Sequence, residues 1–369
     1  MMQTRPMQQH TDAWYRTRLA VPGGRVRVVI DTDCANEIDD QFALAWALLS
    51  PQQIDLLAVY AAPFSFAHRR TEMLRARAVQ ADPASASPAD LELLAQHAGA
   101  LAHFGRRQWP LETVDLPVFN PPSEGMARSQ AEILKIFSLL QLPAAGRVFA
   151  GSTGYLAENG PPIDSDAAQH LIRCARVSRA DDRLWVVALG CVTNIASALL
   201  MAPDIAERIV VVWTAGYPSH APHTNFAFNL EQDLRASQWL FDSGVPLVYL
   251  PGFHVGAQLR LSLPEVERHV QGCGAVGAYL HQLFTHNPLW DFLGLDAARA
   301  PSWVIWDLIN IAWLLQPAWV PSSLVATPVL GADRRWHAAS GRPPMREAHA
   351  VARDAIFLDL FAKLAQAPG

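Results

Sequence analysis

The chain has 369 residues, of which 51% are apolar and 17% are charged, a balance typical of folded globular proteins and not of disordered ones. Its formal net charge is −5 and it contains no basic tract, which argues against a nucleic acid or an anionic membrane surface as partner. We therefore expect a small-molecule ligand.

The N-terminus is polar and lacks the apolar core of a secretion signal, and no later run approaches the ~20 apolar residues that span a bilayer. We expect a flexible segment over residues 1–20 and a cytoplasmic protein. The cysteines are scattered and show no CxxC spacing, which predicts buried thiols instead of a disulfide framework or a zinc site. They are Cys34, Cys174, Cys191 and Cys273.

Strand-like and helix-like stretches alternate along the chain. Short runs rich in β-branched residues predict strands buried on both faces. These runs are 25–31, 54–61, 183–189, 208–213 and 245–251, and the helical patterns between them are Asp39–Leu49, Thr193–Met201 and Gln232–Ser243. The alternation predicts an α/β fold with a mostly parallel open sheet flanked by helices and a Rossmann-like core.

One segment, about residues 70–122, interrupts this alternation. Its "SPADLELL" places Ser87 as N-cap, Pro88 at the first helical position and Asp90 as the capping-box partner. We predict an inserted helical segment that either borders the mouth of a site or decorates the surface. The last helix, "AIFLDLFAKLA", is expected to serve packing.

The stretch "VVIDTDCANEIDDQFALAWALLSP" places five carboxylates within residues 31–40. Asp31 and Asp33 follow a predicted strand, and ligands of open α/β sheets bind beyond the carboxyl ends of the strands. Asp39 and Asp40 open the next helix, where negative charge is favourable. Helix capping would account for one or two of these acids.

The remaining like charges require a cation, since no Lys or Arg occurs between Arg27 and Arg69. A bound metal is the natural counter-charge. Because no His or Cys ligand set is nearby, the oxygen-rich surroundings favour Ca²⁺ or Mg²⁺ over zinc.

These residues resemble the inosine-uridine-preferring nucleoside hydrolases, whose N-terminal signature is DxDPGxDDxxA. Three further segments resemble that family in the same order, so the likeness covers residues 25–320. They are "VVALGCVTNIASALLMAP", "NFAFNLEQDLRASQWLFDSGVPLVYLP" and "WVIWDLINIAWLLQP".

The resemblance implies a Ca²⁺-dependent hydrolysis of the N-glycosidic bond of a nucleoside or related ribosyl compound. It implies that Ca²⁺ is held by Asp33, Asp40, Asp307 and the backbone carbonyl of Leu189. Asp33 would also take the proton of a water molecule beside the metal. The ribose hydroxyls would be bound by Asp39 and Asn229. The resemblance further implies one domain, residues 21–369, and a homo-oligomer, either a dimer or a tetramer.

The chain departs from the family pattern at several positions. The loop "CANEI" is two residues longer than usual and resembles an NEIDDQ-type subgroup, which makes Asn36 and Glu37 candidate substrate contacts. Ala227 stands where the family has an acid, and Asn225 is the candidate replacement.

Trp306 stands where some members have a histidine that protonates the departing base. Trp306 either stacks on the base or belongs to the core. The histidines His220, His223 and His254 are other candidates for the acid.

Two further functions stay open at this point. One is a ribosyl-ligand-binding protein that keeps the metal site without turnover, which the changes at Ala227 and Trp306 favour. The other is a phosphatase of the haloacid dehalogenase type, which also starts with a strand-end DxD. The second lacks the expected Thr or Val four residues after Asp31, where Ala35 stands, and leaves the DD pair unexplained.

Overall fold

The structure, a computed structural model, describes residues 10–179, 182–287, 289–295 and 301–368. Its strands are β1 Val26–Thr32, β2 Ile54–Ala61, β3 Val148–Ala150, β4 Leu184–Ala188, β5 Ile209–Ala215, β6 Leu247–Pro251, β7 Arg260–Ser262, β8 Ser302–Val304, β9 Ser322–Ala326, β10 Val329–Leu330, β11 Trp336–His337 and β12 Pro344–Ala348. Its α-helices are α1 Asp12–Arg18, α2 Asp39–Leu48, α3 Ala67–Ala81, α4 Pro88–Arg107, α5 Pro122–Leu139, α6 Asp166–Val177, α7 Thr193–Met201, α8 Phe228–Glu231, α9 Leu234–Asp242, α10 Leu263–His269, α11 Gly274–Thr285, α12 Trp290–Leu293, α13 Leu308–Leu315 and α14 Arg353–Leu364.

The main sheet has the strand order β3-β2-β1-β4-β5-β6-β12-β9. Every neighbouring pair in it is parallel except β12 and β9. β1 and β4 are buried along nearly their whole length because helices cover both faces of the sheet. The predicted fold class, a mostly parallel sheet flanked by helices, is confirmed.

Alternate side chains of the strands feed two apolar cores. Val28 and Ile30 of β1 join the core that contains Phe42 of α2 and Trp313 of α13, whereas Val29 packs on the opposite face. This division follows from the pleat, which turns successive side chains to opposite faces of a strand.

The strand order reverses direction at β1, whose neighbours are β2 on one side and β4 on the other. In open α/β sheets the crevice at this point, beyond the carboxyl ends of the strands, is where ligands bind. Asp33 follows β1 directly and Leu189 follows β4 directly, so the fold brings both to this crevice.

The predicted helical insertion contains α3 and α4. α4 begins as the sequence indicates, because Ser87 and Asp90 form a capping box and Pro88 is its first residue. Phe104 of α4 packs edge-on against Phe292 of α12 at 6.1 Å between ring centroids. The insertion is thereby packed against the part of the chain that precedes β8.

The sequence patterns missed several elements. They contain no signal for β3, β9 and β12, which extend both ends of the main sheet. The predicted flexible segment 1–20 falls partly outside the described residues, and its portion Asp12–Arg18 forms a helix that buries Tyr15 and Leu19 beside it. Among the described residues, no helix combines the length and apolar character needed to cross a membrane.

Candidate functional site

A cavity of about 250 Å³ opens at the carboxyl ends of β1, β4 and β5. Carboxylates form part of its lining. They belong to Asp33, Glu37, Asp39, Asp40 and Asp307. The fold therefore brings two distant parts of the sequence to one place, the segment that joins β1 to α2 and the start of α13.

Three members of this cluster, Asp39, Asp40 and Asp307, each offer one carboxylate oxygen, and these three oxygens lie within 4.8 Å of one another. These side chains are only 5%, 2% and 2% exposed. The residue that precedes α2 is Ile38, which provides no side-chain cap. Asp39 and Asp40 are therefore the first two residues of the helix and not its N-cap.

Burial and mutual repulsion disfavour the charged forms of these acids. Burial raises the pKa of Asp307 well above its usual range, and the charges of Asp39 and Asp40 raise it further. Burial also raises the pKa of Asp40 to about 6 and that of Glu37 to about 7. A cation among these oxygens would reverse the effect by stabilising every ionised carboxylate.

The arrangement of the acids fits a hard cation. Oδ1 of Asp307 is buried and has no hydrogen-bond partner. Among the cavity-lining residues that the structure describes, Arg69 is the one cationic side chain, and it pairs with Glu231 at 2.8 Å. Oxygen atoms without a hydrogen-bond or ion-pair partner are the ligands that Ca²⁺ and Mg²⁺ take. The three acids could therefore hold a metal ion.

Asp33 stands beside this group and is held in place by two amides. Its Oδ2 accepts hydrogen bonds from Asn36 Nδ2 at 3.3 Å and from Gln232 Nε2 at 3.4 Å. Burial raises the pKa of Asp33 well above its usual range, and the charge of Asp40 adds to the shift. Gln232 was not singled out in the sequence, although it lies in the segment that carries the family resemblance.

Leu189 lines the cavity, and its carbonyl accepts a hydrogen bond from Asn229 Nδ2. The same amide group donates to the carbonyl of Thr214 at 3.1 Å. Two residues that the resemblance places at the metal and at the sugar therefore lie in direct contact. The second lone pair of the Leu189 oxygen is available to another partner.

Asn225 is the one predicted substrate contact that the structure places elsewhere. It is fully buried and does not line the cavity. Its Oδ1 accepts from the backbone N–H of Tyr217 at 2.7 Å, and its Nδ2 donates to the carbonyl of Arg334 at 2.9 Å. Both ends of the Asn225 amide are thus bonded to the backbone of neighbouring loops. The prediction that Asn225 replaces the acid missing at Ala227 is therefore wrong.

Aromatic side chains also line the cavity. Phe66 and Phe228 stack with centroids 4.1 Å apart, and Trp306 meets Phe253 edge-on at 5.9 Å. Trp306 is half-buried and its ring lines the cavity, so it is part of the site wall and not only of the core.

The predicted histidines lie outside the described lining of the cavity. His223 and His254 form a cluster with Tyr217 in which the two imidazole centroids are 5.9 Å apart. His254 adopts a positive φ of 68°, in the left-handed region that few non-glycine residues occupy. His220 likewise does not line the cavity.

Comparison with known proteins relates the chain to ribonucleoside hydrolases. The family model described as inosine-uridine preferring nucleoside hydrolase matches residues 85–353. The non-specific ribonucleoside hydrolase RihC of Shigella flexneri is 26% identical over 307 residues, which are 79% of this chain and 80% of that protein. The protein of the same name from Escherichia coli strain SMS-3-5 is 31% identical over 180 residues, covering 46% of this chain and 53% of that one.

Solved structures share the fold. A purine-preferring ribonucleoside hydrolase from Gardnerella vaginalis aligns with a TM-score of 0.63 and 17% identity, over 92% of this chain and 98% of that one. An inosine-uridine preferring nucleoside hydrolase from Bacillus anthracis aligns with a TM-score of 0.53 and 16% identity, over 92% and 99%. The matched range 85–353 excludes the acids at 31–40, yet the fold places them opposite Asp307, which lies inside it.

Proposed function

The chain belongs to the family of the inosine-uridine preferring nucleoside hydrolases, and from this premise we propose that it uses Ca²⁺ and the base Asp33 to hydrolyse a ribonucleoside. The bond cleaved is the N-glycosidic bond between the sugar and the base. Water adds to the anomeric carbon and the base departs with a proton.

One observation carries this proposal, namely the group of three nearly inaccessible carboxylates with oxygens within 4.8 Å of one another. The unpartnered Oδ1 of Asp307 adds a free donor atom to it. When bound there, Ca²⁺ would supply the positive charge that orients water and sugar hydroxyls. The proposed ligands are Asp33, Asp40, Asp307 and the Leu189 carbonyl, with Asp39 as a neighbour close enough to share the ion.

The protein's own residues would do the rest. Asp33 accepts the proton of the attacking water, and the amides of Asn36 and Gln232 keep its carboxylate aimed into the cavity. Asp39 and Asn229 hold the ribose hydroxyls, which fixes the anomeric carbon against the water. The ring of carboxylates stabilises the positive charge that develops on the sugar in the transition state.

The aromatic side chains of the cavity lining suit the binding of the base. Trp306 and Phe253 present apolar ring surface to a planar heterocycle, which holds it as the bond to the sugar lengthens. Glu37 and Asn36 lie on the loop that is longer than the family pattern and contribute to the cavity wall beside the acids. We assign this loop a role in sugar binding.

The test is hydrolysis of a panel of ribonucleosides by the purified protein, followed by release of free ribose. Activity should disappear in EDTA and return with Ca²⁺ more fully than with Mg²⁺ or Zn²⁺. Asp33→Asn should abolish turnover in a folded protein. Asp354→Asn is the matched control, because the same change is made at a side chain that is 85% exposed. Full activity of Asp33→Asn would refute the proposed base.

Binding of a ribosyl ligand without turnover is the second candidate. Two residues favour it, because neither offers a polar contact to the sugar. Ala227 has an apolar side chain, and the amide of Asn225 is buried and bonded to the backbone of Tyr217 and Arg334. Calcium-dependent binding of ribose together with no detectable hydrolysis of any riboside would decide for this candidate. The family membership leaves no support for a haloacid dehalogenase-type phosphatase.

The homo-oligomeric state, either dimer or tetramer, and the cytoplasmic location stay predictions. Light scattering coupled to size-exclusion chromatography measures the first. Fractionation of the native cell measures the second. Neither is needed for the chemistry proposed here, because every proposed site residue comes from one chain.

A further inference from the structure

The polar side chains that line the cavity fall into two groups. The first consists of the carboxylates with Asn36, Asn229 and Thr214, and the last three already bond neighbouring residues. The second group consists, among the described residues, of Arg69 and Gln96, which line the cavity together with aromatic and aliphatic side chains. With the ribose held by the first group, a leaving base would find its side-chain hydrogen-bond partners among these two residues.

The guanidinium of Arg69 already has hydrogen-bond partners within the protein. Its guanidinium donates to Glu231 Oε1 at 2.8 Å and to the carbonyl of Phe226 at 3.3 Å. It also lies over the rings of Phe66 and Phe228, at 5.1 and 5.3 Å from their centroids. The Glu231 side chain is 1% exposed, so separating this pair would leave a buried charge without a partner. Arg69 thus stabilises the cavity wall, and its guanidinium is not available to hydrogen-bond a base.

The side-chain amide of Gln96 is available to hydrogen-bond a base. It lies at the exposed mouth of the cavity, on the inserted helix α4, and its amide makes no hydrogen bond within the described part of the chain. An amide presents two N–H donors and a carbonyl acceptor, so it can pair with the polar edge of any of the common bases.

The helix that carries Gln96 is held firmly. The adjacent residue, His97, is buried and pairs with Glu72 of α3 at 3.1 Å, and Glu72 in turn pairs with Arg334 at 2.8 Å. Arg334 also pairs with Glu231, the partner of Arg69. This chain of contacts fixes the rotation of α4 relative to the cavity wall, and a rigid support is what a discriminating contact needs.

We infer that Gln96 is the specificity-determining residue for the leaving base, reading its polar edge by hydrogen bonds from the mouth of the cavity. The inference deepens the proposed function and rests on it. It also assigns a role to the inserted segment, which supplies the contact that distinguishes one base from another.

The test compares Gln96→Leu and Gln96→Glu with the wild type on adenosine, inosine, cytidine, uridine and p-nitrophenyl riboside. The last substrate keeps the sugar but lacks a base edge. In Gln96→Leu the spread of kcat/KM among the four nucleosides should shrink by about tenfold, the loss of one or two hydrogen bonds. Its rate on p-nitrophenyl riboside should stay within about twofold of the wild type, because the carboxylates proposed to bind the sugar are unchanged.

Gln96→Glu keeps the hydrogen-bond acceptors and removes the donors. A carboxylate only accepts hydrogen bonds, so any contact in which the Gln96 amide donates to a base should be lost, and kcat/KM should fall most for the nucleoside that depends on that contact. Gln80→Leu is the matched control, because Gln80 is an exposed glutamine of α3 that does not line the cavity. Its substrate preference should equal that of the wild type.

Two results are informative in opposite ways. An unchanged spread of kcat/KM in Gln96→Leu would overturn the inference even if hydrolysis itself is established. Failure of the wild type to cleave any of the five ribosides, with Ca²⁺ present, would instead remove the proposed function on which the inference depends.

Discussion

Gly190 faces the carboxylate of Asp33 so closely that a Cβ atom at position 190 would lie 2.5 Å from Oδ1 of Asp33. No real Cβ contact is that short, and the carboxylate would have to move. Gly190 follows Leu189 at the end of β4, so the strand that carries the proposed carbonyl ligand also leaves room for the proposed base.

We therefore expect Gly190→Ala to displace Asp33 and lower kcat by about 100-fold, the usual effect of a shift of about 1 Å at a reacting group. The measurement is steady-state hydrolysis of a ribonucleoside with circular dichroism as the check on folding. Gly23→Ala is the control, because a Cβ at Gly23 meets no atom within 4 Å. Equal losses in the two variants would show that the contact with Asp33 is not the cause.

A second prediction concerns the metal and Asp307. Ca²⁺ at a hundredfold excess over Kd should raise the free energy of unfolding of the wild type by about 2.7 kcal/mol. Asp307→Asn should lose this response, because it removes one carboxylate of the group. In EDTA the same variant should be at least as stable as the wild type, since a buried acid repelled by its neighbours has been removed.

Urea unfolding with and without Ca²⁺ measures both effects, and Asp354→Asn serves again as the exposed control. An undiminished response of Asp307→Asn to Ca²⁺ would place the ion elsewhere. A large loss of stability in EDTA would mean that Asp307 stabilises the fold without a metal.

A third prediction concerns acid stability. Burial by itself would raise the pKa of Glu231, but the charges of Arg69 and Arg334 and the hydrogen bond from His68 outweigh it and lower the pKa to about 2. A depressed folded-state pKa stabilises the protein above the ordinary value of 4.5, and the contribution is lost as the pH falls through 4.5 toward 2.

The contribution is of order 3 kcal/mol at neutral pH. Glu231→Gln should therefore be less stable than the wild type at pH 7, and the difference should shrink as the pH is lowered to 2. Urea unfolding at several pH values in this range measures it. A difference between the two proteins that does not vary with pH would show that Glu231 acts through packing and not through its charge.

Much of the fold follows from local pattern. The predicted helix Thr193–Met201 is found unchanged as α7, and the central strands are found within one or two residues of their predicted bounds, because their apolar runs need only their own residues to specify them. β3 and β12 were not predicted, because short strands at or near the edges of a sheet lack such apolar runs. β3 has three residues, and β12 has the sequence PMREA.

The candidate site was predictable where the residue type alone carries the signal. A strand-end acid and a helix-start acid pair reach the same edge of a sheet in any fold of this class, so Asp33 and Asp40 could be placed from the sequence. Asn225 could not, since its orientation depends on the carbonyl of Arg334, 109 residues away. Gln96 could not either, because the rotation of α4 depends on the pairing of His97 with Glu72.

The last prediction separates the two roles of Trp306. Stacking of an aromatic side chain on a base contributes about 1–3 kcal/mol, so Trp306→Ala should weaken competitive inhibition by a free purine by about 5- to 150-fold. Inhibition by free ribose should change little, because the sugar binds among the carboxylates. Trp306→Phe, which keeps a ring, should recover part of the loss. Trp14→Ala is the control, since Trp14 is a half-buried tryptophan of α1 that does not line the cavity. Equal weakening for purine and ribose in Trp306→Ala would indicate a general distortion of the site, and the residue would then be a packing residue only.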